Sequence, residues 1–306
     1  MSPGSVAFLG LGTMGSRMAA NLAAAGFDLV VHNRTAERAR SFVATHGGRM
    51  AATPAAAAAG ADLVLTMLAD GAALVDVYTG SDGVLETLRS GAVTVDMGTS
   101  GPTSVAEVRT AVRTVGADMV DAPVSGSTPA AEAATLQIMV GGDDASVARA
   151  FPVLQALGSP VHVGPPGAGA TMKLAVNAVL LGFNQALAEA VVLAESAGVA
   201  TATALDVIAG GAAGAPIVGY RRPQYLDPDG APVTFTLDLA EKDLELAVAQ
   251  ARAGGVAIPQ TERTLEIVSM LLAGGDSGRD MGYVIEAVRR RSGIEDRPIS
   301  TERNPS

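Results

Sequence analysis

The sequence predicts an α/β protein of two domains. An N-terminal domain with a doubly wound parallel sheet is followed by a C-terminal all-α domain, joined to it by a long helix. Three observations predict this. The first 165 residues alternate short apolar runs with helical patterns, as strands linked by crossover helices do. After "HVGPPGAGA" the alternation stops, and a helical pattern runs from Thr171 to about Gly198. With 306 residues, the chain also exceeds the about 250–300 residues at which a single core stops growing.

In chain order, "SVAFLG" is an apolar strand, "MGSRMAANLAAAG" a helix stopped by Gly26, and "DLVVHN" a second strand. "TAERARSFVATHG" follows as a helix, then "ADLVLTML" and "AVTVDM" as strands. "PTSVAEVRTAVRTVG" is a helix with proline in its first turn, where the missing N–H has no helical partner to lose. "ADMVDAPV" and "LQIMVGG" complete the sheet, and His162 lies in a further strand near the domain boundary. Helical patterns recur at Leu237–Ala253 and Pro259–Leu272. The expected organisation is a sheet domain at 1–165, a helical domain at 166–292, and a polar, proline-containing tail at 293–306 that should be disordered.

Composition narrows the function. The chain is 48% hydrophobic and 17% charged, which fits a large core rather than a disordered chain. Net charge is −10 and the only basic run is Arg289-Arg290-Arg291, so no nucleic-acid partner is expected. The absence of cysteine excludes disulfides and thiolate metal sites and is compatible with a cytoplasmic location. The N-terminus carries no recognisable signal peptide. "AATPAAAAAGADLVLTML" is broken by Pro54, Gly60 and Asp62, and "LAVNAVLLGFNQALAEAVVLA" by Asn177, Asn184, Gln185 and Glu189. A soluble protein without a membrane span is expected. His32, His46 and His162 share no ligand spacing with carboxylates, so no metal is expected.

Gly10-Leu11-Gly12-Thr13-Met14-Gly15 matches G-x-G-x-x-G. A lone match is as often an ordinary glycine-rich turn, but this one follows a strand, opens a helix and precedes a second strand. That is the Rossmann-type layout in which the glycines make the turn, admit a pyrophosphate and let helix and strand pack closely. An acidic residue at the end of the second strand would favour NAD. Here the residues are Asn33, Arg34 and Thr35, able to pair with or donate to a 2′-phosphate, so NADP(H) is preferred over NAD(H). The alternative for Arg34 is a solvated residue at a helix start.

Of 21 basic residues only two, Lys173 and Lys242, are lysines. Lys173 sits inside the apolar run "GATMKLAVN". Arginine stays protonated, whereas burial tunes a lysine to give and take a proton, which suits Lys173 to general acid/base work. Asn177 lies four residues on, about 5–6 Å away on one helical face, and Asn184 continues the stripe. Burying unpaired polar groups is costly, so the stripe should line a site. The competing reading of Lys173 is a side chain snorkelling from the first turns. The helix is apolar around most of its circumference, which predicts a homodimer or homotetramer. Asp96 and Asp121 end apolar strands at the carboxyl edge, as site residues or as turn caps. Ser125 and Ser127 lack a His–Asp partner pattern, which argues against a serine nucleophile.

Four blocks together resemble the β-hydroxyacid dehydrogenases, which include 3-hydroxyisobutyrate dehydrogenases and glyoxylate/succinic semialdehyde reductases. They are "FLGLGTMGSRMAANL", "DAPVSGSTPAAEAATLQIMVGG", "GAGATMKLAVN" and "EKDLELA". The resemblance implies an oxidoreductase interconverting a small carboxylate-bearing aldehyde and its hydroxy acid, with Lys173 as catalytic acid/base. It implies substrate contacts at Ser125, Gly126, Ser127, Asn177, Phe235 and Asp243. It implies cofactor contacts at Met67, Leu68, Thr99 and Lys242, with Lys242 and Asp243 closing over the cofactor. Lys242 also reads as a surface lysine paired with Glu241 or Glu245. The chain departs from the family pattern at Ser127, where a second glycine is common, at Thr128, where a basic residue is frequent, and at Ala134, often glycine. Other readings are an imine reductase of the same fold, disfavoured by the lysine, and a non-catalytic cofactor-binding regulator.

Overall fold

The structure is a computed structural model and describes residues 4–294. The tail expected to be disordered lies, from residue 295 onward, outside the described residues.

Among the described residues nine strands form the sheet: β1 Ser5–Leu9, β2 Asp28–His32, β3 Arg49–Met50, β4 Leu63–Thr66, β5 Val93–Asp96, β6 Asp118–Asp121, β7 Val124–Ser125, β8 Leu136–Gly141 and β9 Gly158–Gly164. Their order is β3-β2-β1-β4-β5-β6-β8-β7, with β9 on β8. Pairing from β3 through β6 is parallel. The chain reverses order between β1 and β4, the switch point where such sheets bind ligands.

The sheet is mainly parallel, as expected, with one exception: β8 runs antiparallel to β6 and β7. A parallel pair needs a crossover of about a dozen residues or more. The short link from β7 to β8 holds only the helix Thr128–Glu132, and so makes a reversal. Strands β3 and β7 have two residues each, too few for a period of two to register in the sequence.

Helices cover both faces of the sheet. Val6 and Phe8 of β1 enter one core with Leu22, Phe42 and Val147, while Ala7 and Leu9 enter the other with Leu74, Val105 and Val108. This is strand alternation at work: successive side chains leave by opposite faces.

The chain divides into two compact units between Val176 and Asn177, inside the long helix Ala168–Ser196 rather than ahead of it. The helix start belongs to the sheet unit because Ala170 packs in the second of those cores. Among the described residues the helical unit has no named strand, only an isolated bridge between Thr236 and Asp280. Its core joins Leu181, Leu187 and Val191 of the long helix to Leu237, Leu244, Val268 and Ile285.

Three features of that unit bear on the sequence reading. By length and composition alone, Ala168–Ser196 is long and apolar enough to cross a membrane, yet Leu181, Leu187, Val191 and Val192 are buried in a protein core. The basic run is not a phosphate patch at its first member: Arg289 is buried in ion pairs with Glu195 and Glu286. The arginine after it, Arg290, lies 5.2 Å over the Tyr283 ring. Lastly, Asn184 does not line a site. Its amide donates to the Met281 carbonyl at 2.9 Å, and its Oδ1 accepts from Tyr225 Oη at 2.9 Å. A core can supply both partners that a buried amide needs, and here it does so for Asn184.

Candidate active site

The glycine-rich loop connects β1 to the helix Gly15–Ala24. Gly10 has φ +101°, a region that disfavours any side chain, and a Cβ there would collide with the Met67 carbonyl after β4. A Cβ on Gly15 would collide with the Gly10 carbonyl, so the third glycine sets the close approach of helix and strand. Gly12 differs from both: no heavy atom lies within 4 Å of its missing Cβ. Its face is open for a ligand backbone to approach, and the helix it precedes has no acidic residue in its first turn. These features fit a dinucleotide pyrophosphate, with Gly12 and the helix N-terminus holding it.

Strand β2 ends beside this loop, with Gly10 N–H donating to the His32 carbonyl at 3.0 Å. Asn33 accepts from Leu11 N–H at 2.8 Å and donates to the Thr35 carbonyl at 3.0 Å. Both ends of its amide therefore brace the loop, while the second hydrogen of its NH2 has a donor's capacity left over. Arg34 and Thr35 are exposed, and Thr35 is the N-cap of the helix Ala36–His46 with no side-chain capping bond. Arg38, which the sequence reading passed over, lines a groove of about 480 Å³ together with Leu11, Gly12, Thr13, Ser16 and Glu37. Its position four residues after Arg34 was the available signal.

Met67 and Leu68 follow β4 and are half-buried, as is Thr99 shortly after β5. Ser125 ends β7, and Gly126 has φ +142°, with a missing Cβ that would lie 2.8 Å from Leu136 Cδ2. Only glycine suits that position, so the Ser125–Ser127 turn is fixed by backbone. Ser127 is the N-cap of the helix Thr128–Glu132, with no side-chain capping bond. Two residues absent from the sequence reading tie this turn to the glycine-rich loop. Arg17 donates to the Thr13 carbonyl and to Glu132 Oε1, both at 2.6 Å, and Asn21 donates to the Ala131 carbonyl at 2.7 Å. The first helix is thus clipped to the helix that follows the Ser-Gly-Ser turn.

Asp96 and Asp121 are register partners on β5 and β6. Asp96 accepts from the Thr66 hydroxyl at 3.0 Å and is buried. Asp121 accepts from the backbone N–H groups of Gly167 and Ala170, at 2.8 Å each. It caps the start of the long helix, which carries Lys173 half-buried in its second turn. Burial is the main cause that pushes the Asp121 carboxyl up to about 6; Asp96 adds to it, and the backbone donors oppose it. Asp121 therefore acts as a helix cap, and Asp96 accepts from Gly98 N–H at 3.3 Å in the turn after β5. The glycine-rich loop, Met67 and Thr99 follow the carboxyl ends of β1, β4 and β5, and the helix of Lys173 starts against Asp121 at the end of β6.

In the helical unit, Asn177 donates to Asp243 Oδ2 at 2.6 Å, and Lys242 Nζ lies 2.8 Å from Asp243 Oδ1. Asp243 is 2% exposed, so Lys242 pairs with a buried carboxylate. Phe235 packs against the helical core, and Asp280 accepts from its backbone N–H at 3.1 Å. Among the described residues no group of three or more potential ligands could hold a metal ion.

Comparison with known proteins decides the family. Residues 5–164 match the NAD-binding domain of 6-phosphogluconate dehydrogenase, and residues 167–288 match the NAD-binding region of NADP-dependent 3-hydroxyisobutyrate dehydrogenase. The chain is 36% identical to 3-sulfolactaldehyde reductase of Escherichia coli, over 95% of this chain and 97% of that one. The chain belongs to the β-hydroxyacid dehydrogenase family. Within that family it is also 32% identical to glyoxylate/succinic semialdehyde reductase 2 of Arabidopsis thaliana, over 93% of this chain and 79% of that one. The crystal structure of Mycobacterium tuberculosis 3-hydroxyisobutyrate dehydrogenase with L-serine superposes with a TM-score of 0.83 at 34% identity, covering 94% of this chain and 99% of that one. The protein is an NAD(P)-dependent oxidoreductase of the β-hydroxyacid dehydrogenase type.

Proposed function

We propose that the protein is an NADPH-dependent reductase, reversibly a dehydrogenase, that interconverts a small carboxylate-bearing aldehyde and its hydroxy acid. The observation that carries this reading is Lys173, one of only two lysines, on a helix whose start is capped from the carboxyl edge of the sheet. The nicotinamide, when bound, supplies or takes the hydride. Lys173 gives a proton to the substrate oxygen in reduction and takes it back in oxidation. Ser125 and Ser127 hydroxyls, with the backbone of Gly126, hold the carboxylate. Asn177, one turn beyond Lys173, contacts the substrate. Arg34, Arg38 and Thr35 hold the 2′-phosphate that distinguishes NADP from NAD.

NADPH oxidation with succinic semialdehyde, glyoxylate and a cyclic imine tests the substrate class. Turnover of the aldehydes is expected, and turnover of the imine alone contradicts the reading. For the cofactor, Arg34→Ala is expected to weaken NADPH binding by about 10–100-fold, the value of one charge-assisted contact, while NADH binding stays put. Equal affinities for NADPH in variant and wild type contradict the NADP assignment.

A further inference from the structure

We propose that Asp121 is a positioning residue for Lys173, its carboxylate fixing the first turn of the helix that carries the lysine. This rests on the assignment of Lys173 as the proton-transferring group. Asp121 is 1% exposed and ends β6, a strand inside the sheet. One carboxylate oxygen accepts from Gly167 N–H and the other from Ala170 N–H, at 2.8 Å each. Two oxygens on two donors three residues apart define where the helix begins and how it is rotated. A negative charge at a helix N-terminus also matches the helix dipole.

The contact is built without slack. A Cβ added to Gly141, at the end of β8, would lie 2.6 Å from Gly169 N and 2.7 Å from Asp121 Oδ2. A Cβ added to Gly169 would lie 2.5 Å from the Asp121 carbonyl oxygen and 2.9 Å from its Oδ2. The ends of β6 and β8 and the helix start thus meet where no methyl group fits. Lys173 follows Gly169 by four residues, about one turn, so a shift of that first turn passes directly to the lysine. A misplacement of about 1 Å at a reacting group costs roughly 100-fold in rate.

The groups facing the carboxylate are known. Asp96 on β5 repels it, the N–H groups of Gly167 and Ala170 stabilise its charge, and β8 presents Gly141. Protonation turns one oxygen into a donor, which can no longer accept from its N–H. Burial raises this carboxyl to about 6, so protonation as pH falls through that value relieves a buried charge but gives up one of the two N–H bonds that place the helix start.

The test is a double-mutant cycle in the full-length enzyme with Asp121→Asn, Lys173→Ala and the pair. It measures turnover with succinic semialdehyde, NADPH dissociation constants, and amide exchange over 167–176. Asp121→Asn keeps the shape and replaces one acceptor by a donor. It is expected to lower kcat by roughly 100-fold, to leave NADPH binding unchanged, and to speed exchange over 167–176. It should also remove the acid limb of the kcat profile near pH 6. In the Lys173→Ala background it should lower turnover no further, because its effect acts through the lysine. Turnover of Asp121→Asn within about twofold of wild type overturns the inference, as does a full second loss in the Lys173→Ala background. If Asp121→Asn does not fold, Gly141→Ala takes its place in the same cycle with the same two outcomes. Near-normal turnover of Lys173→Ala removes the lysine reading and this inference with it. An inactive Lys173→Ala beside an active Asp121→Asn removes this inference alone.

Discussion

Lys173 and Asn184 lie about three turns apart on one helix and read alike in the sequence, each a polar residue in an apolar run. The structure separates them. Lys173 is half-buried one turn beyond a helix start that Asp121 holds from the carboxyl end of β6. Asn184 is 2% exposed, and both ends of its amide are bonded within the helical core. Helical periodicity shows that a polar residue faces something special. It does not show whether that something is a ligand or a matched set of protein donors and acceptors.

The largest way to break the comparison is to truncate each residue in turn. Lys173→Ala is expected to lower turnover by roughly 10²–10⁴-fold, the usual weight of a general acid/base, with the thermal midpoint little changed. Asn184→Ala should do the opposite. It strands the Tyr225 hydroxyl and the Met281 carbonyl in the core, and a loss of roughly 2–3 kcal/mol of stability is expected, with kinetic constants of the folded enzyme near normal. Urea unfolding together with steady-state kinetics reads both. A stable but inactive Asn184→Ala would place that residue in the site after all.

A smaller effect sharpens the same point about local constraint. Ala134 has φ +53°, and Thr135 N–H donates back to the Ala130 carbonyl at 2.9 Å to close the short helix. A left-handed alanine costs about 1–2 kcal/mol, partly offset by the greater freedom glycine has when unfolded. Ala134→Gly is therefore expected to stabilise the protein by up to about 1 kcal/mol without changing kcat. A drop in stability on that substitution would contradict the strain argument.

Much of the sheet unit was legible because its signals are local. The glycine spacing sits between a strand and a helix, and the structure gives Gly10, Gly12 and Gly15 three distinct surroundings that match their expected roles. Local signals fail where the partner is distant in sequence. Arg17 and Asn21 look like exposed helix residues until the fold brings Glu132 and Ala131 beside them. Asp121 could be read as a cap or as a site acid, and only its two backbone donors, more than forty residues away in the chain, decide between these. Asn33 also braces the loop through Leu11 and Thr35, contacts that depend on loop geometry no spacing encodes.

The central claim is that Lys173 transfers a proton rather than supplying a positive charge. Lys173→Arg tests it most directly, because it keeps the charge and withholds a releasable proton. Single-turnover NADPH oxidation with saturating aldehyde, alongside the NADPH dissociation constant, is the measurement. The account predicts oxidation slowed by roughly 10²–10⁴-fold with cofactor binding preserved. Oxidation at near wild-type rate in Lys173→Arg would contradict it and return Lys173 to a structural role.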